Sequence, residues 1–276
     1  SGGIFVCDKI ALLMRQINIS VDDRKVVKNA IETLPALQNL NLKILSDLIF
    51  LFQGTCGFFR ERSIIPNDDT VLSFFSVYEK YREVLTDEYR VRAYKVLYRY
   101  ADIHEAIPKP IFQKLAKLYA TDIKPARRIA MEIVLELIHT DIMRDKLFVF
   151  ISNNYEKEDE ETKRTINMDL CRVFYGGFMQ PQILKFFASN FSTEPIETQD
   201  QILERLLLTI RTMSIQAKIL EFIDMHYDVF TIEQREKIYQ TFFEMIPECD
   251  ALSEAIVKMI NKHSVKEHGY LLDEIK

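Results

Sequence analysis

Apolar positions recur every three to four residues along almost the whole chain. In 87–101, Val91, Tyr94, Tyr98 and Ala101 fall at i, i+3, i+7 and i+10, with Leu97 beside them. Ile202, Leu203, Leu206, Leu207, Ile210 and Met213 repeat the pattern, as do Ile219, Leu220, Ile223, Tyr227 and Phe230. This spacing places one apolar stripe on each helix. The stretch 129–138 is apolar nearly all round, with Glu132 and Glu136 its only charges, so such a helix must be covered on most sides. The pattern predicts about twelve helices, over 5–18, 21–33, 40–53, 68–84, 87–102, 110–120, 124–139, 142–154, 159–175, 181–190, 197–212, 215–228, 232–245 and 250–262, with one or two of these merging. No stretch alternates at period two, so no strand is expected.

The punctuation between these stretches agrees. Thr86-Asp87, Thr121-Asp122 and Thr140-Asp141 are expected to open helices, their side-chain oxygens capping orphan N–H groups. Ser20, Thr193, Ser214 and Thr231 offer the same chemistry. Pro108, Pro110, Pro125, Pro181 and Pro195 lie near predicted helix starts, where the missing N–H costs nothing. Gly54 with Gly57, and Gly176 with Gly177, are expected to end helices. Connections are short, so consecutive helices should pack antiparallel. From residue 86 the phrase Thr-Asp-x4-Arg/Lys occurs three times, at Thr86, Thr121 and Thr140, the first two 35 residues apart. Two helices per 35 residues is the period of a stacked-repeat protein.

An array of amphipathic helix pairs at that period resembles the HEAT/armadillo class of α-solenoids over residues 4–276. The tetratricopeptide signature is not met, and the chain contains no tryptophan. The resemblance implies an all-α fold of antiparallel pairs stacked into a right-handed α–α superhelix, forming a single helical-repeat domain. It also implies a concave or edge surface that holds a partner, without catalysis.

Composition narrows the picture further. Hydrophobic residues make up 48% and charged residues 28% of the 276, which excludes a largely disordered chain. Residues 1–3, "SGG", read as a cleavage scar, so the chain is expected to be an excised piece in which a targeting signal need not be preserved. No apolar run reaches the roughly 18–20 residues of a membrane helix, and no membrane partner is expected. Cys7, Cys56, Cys171 and Cys249 are scattered without a CxxC, as buried thiols in a reducing cytoplasmic or nuclear setting would be.

Motifs for chemistry are missing. His104, His139, His226, His263 and His268 form no HExxH, and no Cys/His set or EF-hand loop occurs. His263 and His268 could share a face only on a continuing helix, against which Gly269 argues. Cys56 precedes Arg60 and Arg62 but has no histidine near it in sequence. The run at 155–164 is expected to be a solvated loop whose acids favour the next helix N-terminus. No catalytic residue, metal or cofactor is therefore expected.

Charge is where the sequence points outward. The net charge is −5, yet residues 80–128 carry 12 basic and 6 acidic side chains, whereas 129–276 carry 16 and 26. On a helix over 87–101, Arg92, Lys95 and Arg99 share a face about 100° from the apolar stripe. Glu88 can pair with Arg92, and Asp102 with Arg99, but Lys95 has no acid at i−3 or i−4. With a 35-residue offset, Arg92 and Arg127 would occupy equivalent places and form rungs of a ladder. The expectation is a non-enzymatic scaffold that binds an acidic protein segment through Arg92, Lys95, Arg99, Lys114, Lys117 and Arg127. RNA on the same face is the alternative, while a sequence pI near 5.7 argues against extended duplex binding.

Overall fold

The structure, a computed structural model, describes residues 68–140, 143–211, 215–246 and 250–268. Among the described residues every regular element is helical, as the periodicity predicts, and no strand occurs. The α-helices are α1 (Asp68–Tyr81), α2 (Asp87–His104), α3 (Lys109–Tyr119), α4 (Lys124–Ile138), α5 (Arg144–Asn154), α6 (Glu160–Tyr175), α7 (Gln180–Asn190), α8 (Ile196–Ile210), α9 (Gln216–His226), α10 (Ile232–Met245) and α11 (Asp250–His268). The helices read at 5–18, 21–33 and 40–53, the Gly54–Gly57 turn, Cys7, Cys56 and Cys249 lie outside the described residues. One boundary differs: α11 runs on past 262 to His268. Two consecutive residues of that last stretch, Lys262 and His263, both reach Asp224 of α9, at 2.7 and 2.6 Å, and hold it in place.

The chain divides into two compact units, Ser1–Ile151 and Ser152–Lys276. In the first, α1 packs on α2 and α3, and α4 packs on α2 and α3. Phe150 of α5 sets its ring edge-on against Phe112 and Tyr119 of α3. In the second, α6 packs on α7 and α8, α9 on α7, α8 and α11, and α10 on α8 and α11. Within each unit the packed pairs are thus successive helices or helices two places apart. The pair α8 and α10 is parallel. Gln234 in the first turn of α10 donates to Asp200 in the second turn of α8 at 2.9 Å, and Arg211 just past α8 meets Glu244 near the end of α10 at 2.5 Å.

Helix starts reveal the repeat. α4, α6, α8 and α10 begin at 124, 160, 196 and 232, each 36 residues after the last, while α4 begins 37 after α2. The 35-residue phrase misleads because its threonines do different jobs. Thr86 stands at the N-cap of α2 without a side-chain cap bond. Thr121 and Thr140 instead donate back to Leu118 O at 3.2 Å and Leu137 O at 2.7 Å, closing the helix before. Thr193 does the same to Asn190 O. The side chains that do cap are Asp159, accepting from Thr162 N, and Thr231, in a full capping box with Gln234.

A second device recurs with the same spacing. Arg144, Gln180 and Gln216, the first residues of α5, α7 and α9, each donate to a carbonyl six residues back: Ile138, Phe174 and Ile210. These carbonyls are left over at the ends of α4, α6 and α8, where a helix has no internal donors. After α6, Gly177 takes φ 84°, and the bonds Gly177 N to Phe174 O and Phe178 N to Val173 O complete a Schellman turn, as the Gly-Gly pair predicts.

Candidate functional site

The basic segment lies on α1 to α4 of the first unit. Lys114 and Lys117, one turn apart on α3, converge on Glu79 of α1, each at 2.6 Å. The Lys114 bond and then the Lys117 bond hold the Glu79 carboxyl well below the ordinary range, at about 2. The Lys117 side chain remains 72% exposed, so its pair is weak and exchangeable.

At the α1–α2 turn the charges point inward. Asp122, its side chain fully buried, accepts from the phenols of Tyr78 at 2.6 Å and Tyr94 at 3.2 Å and from Ile123 N at 2.9 Å. Arg90 lies between Asp122, at 3.7 Å, and Glu83, at 3.5 Å. Arg82 donates to Thr121 at 2.5 Å. Burial first, and the Asp122 carboxylate second, push the Tyr78 phenol above its ordinary value; burial dominates for Tyr94 as well. Both tyrosines are core residues.

Arg92 pairs with Glu88 within α2, as the spacing predicts, and lies 5.8 Å from the Tyr89 ring centre. Lys95, on the same helix, is exposed and makes no ion pair among the described residues. Arg99 is on α2 too, but its side chain lies outside the described residues. Arg127 is half-buried on α4, its guanidinium 5.9 Å from the ring centre of Tyr119. The helix starts do not put Arg92 and Arg127 in equivalent places. With α2 beginning at 87 and α4 at 124, the residue that corresponds to Arg127 is Arg90.

Arg127 belongs to a different series, which the sequence reading missed. Tyr119, Tyr155, Phe191 and Tyr227 stand 36 residues apart, and all are buried at the ends of α3, α5, α7 and α9. Eight residues beyond three of them a cation lies over the ring: Arg127 over Tyr119, Lys163 over Tyr155 at 5.1 Å, and Arg235 over Tyr227 at 4.7 Å. In the fourth, Gln199 donates to Phe191 O at 3.0 Å. Each clasp ties the first turn of an even-numbered helix to the end of the helix before it. The signal was present as an aromatic every 36 residues, but it was masked by the far commoner apolar residues around it.

Several other titratable groups of the described residues are buried within the fold. Glu194 is buried, accepting from Tyr155 at 2.5 Å and Asn167 at 3.1 Å. His263 is buried, stacked 3.8 Å from Tyr227. Cys171 is free and buried, and burial pushes its thiol up to about 12. His104 and His139 are exposed at helix ends. Among the described residues no group of three metal-ligating side chains converges, and no helix is long and apolar enough to cross a membrane.

Comparison with protein-family models, curated proteins and solved structures gives no significant match.

Proposed function

We propose that this chain is a non-enzymatic interaction scaffold, its helix pairs stacked within each unit as in HEAT-like repeats, which binds an acidic protein segment through the cations of 80–128. The packing of next-but-one helices and the 36-residue recurrence of caps and clasps support the repeat reading. Lys95 carries the functional one. An exposed lysine with no paired acid among the described residues, inside a segment of 12 basic and 6 acidic side chains, leaves positive potential facing solvent. Arg92 on the same helix and Lys117 on α3 add exchangeable cations, each oriented by a weak pair. Lys114 and Arg127 sit deeper and serve to position these helices. An acidic peptide is favoured over RNA because Tyr94, Tyr100 and Tyr119 are buried, which leaves only the half-buried Tyr89 and Tyr98 among the described tyrosines of this segment for bases to stack on.

The test is a titration of a fluorescent poly-glutamate peptide against the parent and the triple variant Arg92→Glu, Lys95→Glu and Lys117→Glu. The variant should bind at least about tenfold more weakly, with a shallower salt dependence. Its melting temperature should stay within about 2–4 °C, because surface changes shift stability little. Equal binding by parent and variant would dispose of the proposal. Tighter binding of single-stranded RNA than of the peptide would exchange the partner class.

A further inference from the structure

We infer that the α7–α8 and α9–α10 turns of the second unit form a docking ridge for a basic amphipathic helix, separate from the cationic face and opposite to it in charge. The observation is a pair of isoleucines where the fold offers them nothing. Ile196 and Ile232 are the first residues of α8 and α10, 57% and 72% exposed. The first residues of α2, α4 and α6 are Asp87, Lys124 and Glu160, the polar residues expected at a wet helix end. Only the two adjacent helices α8 and α10 depart, and they depart together.

Their register brings the isoleucines side by side. The Gln234–Asp200 bond fixes the N-terminal ends of α8 and α10 next to each other, and packed helices lie about 8–10 Å apart. Met225 near the end of α9 is 69% exposed, and Val229, in the turn that leads into Ile232, is 39% exposed. These four exposed apolar groups all belong to the two turns or to the helix ends beside them, which gives the turns an apolar character.

Charge selects the occupant. Glu197 and Glu233 follow the two isoleucines and are exposed. The unit as a whole carries 14 basic and 22 acidic side chains, a net −8. Two apolar anchors some 10 Å apart correspond to positions i and i+7 of a helix, at about 1.5 Å per residue. Lysines or arginines beside those anchors would meet the glutamates. The partner is thus a helical peptide segment with a leucine-type stripe and basic flanks, the helix-in-groove mode with reversed charge on the ridge.

The probe is a fluorescein-labelled leucine–lysine peptide of two heptads, followed by anisotropy, with a leucine–glutamate peptide of the same pattern as control. The parent should bind the lysine peptide and not the glutamate peptide. The double variant Ile196→Ser/Ile232→Ser should bind at least about tenfold more weakly with unchanged helical circular dichroism, and Lys95→Glu should leave binding as it was. Glu197→Lys/Glu233→Lys should weaken binding as well, without touching the apolar strip. Equal affinity for both peptides, or full affinity in the serine variant, would overturn the inference. So would a parent dimer in sedimentation that the serine variant abolishes, since a second copy would then be the occupant.

Discussion

Glu194 shows how a single buried side chain records the cost of the fold. Its carboxyl is surrounded by Tyr155 and Asn167, and burial raises its proton affinity above the ordinary carboxyl value of 4.5 despite the Tyr155 bond. A carboxyl with a raised folded value binds its proton more tightly in the native than in the unfolded chain. Stability therefore falls as pH rises from about 4.5 through the folded value, then levels off. Glu194→Gln should remove that decline, leaving urea midpoints at pH 4.5 and 7.5 closer together than in the parent. An unchanged difference would show that Glu194 is solvated. Glu79 behaves oppositely: its Lys114 and Lys117 pairs contribute above the ordinary carboxyl value and are lost as pH falls toward about 2.

Among the elements, the ends matter more than the middles. Most helix interiors are unremarkable amphipathic stripes, and the sequence pattern placed them within a few residues. The ends are held by particular bonds, and α10 is the clearest example, with Thr231 accepting from Gln234 N and Gln234 accepting from Thr231 N. Thr231→Ala should cost about 1 kcal/mol, the usual value of a lost N-cap. The same change at Thr121 should have a different origin and cost, since that hydroxyl donates to Leu118 O and accepts from Arg82. Equilibrium denaturation of both variants checks this. If Thr231→Ala were neutral, the capping box would be ornamental. The prolines, by contrast, were legible as helix openers: Pro110, Pro125 and Pro181 all stand at the first or second position of a helix.

Over the whole molecule, the repeat reading makes stability a matter of neighbours. Leu206 of α8 is fully buried, and a large-to-small change there costs about 2–5 kcal/mol. On the stacked-repeat reading proposed above, that loss would be felt first by the helices in contact, α6, α9 and α10. Hydrogen exchange of Leu206→Ala should show faster exchange in those helices and near-parent protection in α1 to α4. Uniform loss of protection over all described helices would mean one cooperative block rather than a nearest-neighbour array. The polarity of charge, basic in 80–128 and acidic beyond, is likewise a property of the whole chain, and it separates the two surfaces proposed above.

The amino-acid sequence by itself determined that the described residues are helical, roughly where each helix starts, and where positive charge gathers. These depend on local spacing, and a 3.6-residue stripe or a proline acts on its own few neighbours. Only the tertiary structure decided which charges are free. Arg127 and Lys95 look alike in sequence, yet one lies over Tyr119 and the other faces water. Thr86 and Thr121 share a phrase, yet one begins a helix and the other closes one. The 36-residue register followed from the same source, because it shows in which side chains meet at the helix ends, Arg127 on Tyr119, Lys163 on Tyr155 and Arg235 on Tyr227. A side chain's partner is set by distance in space, and that is decided when the helices pack.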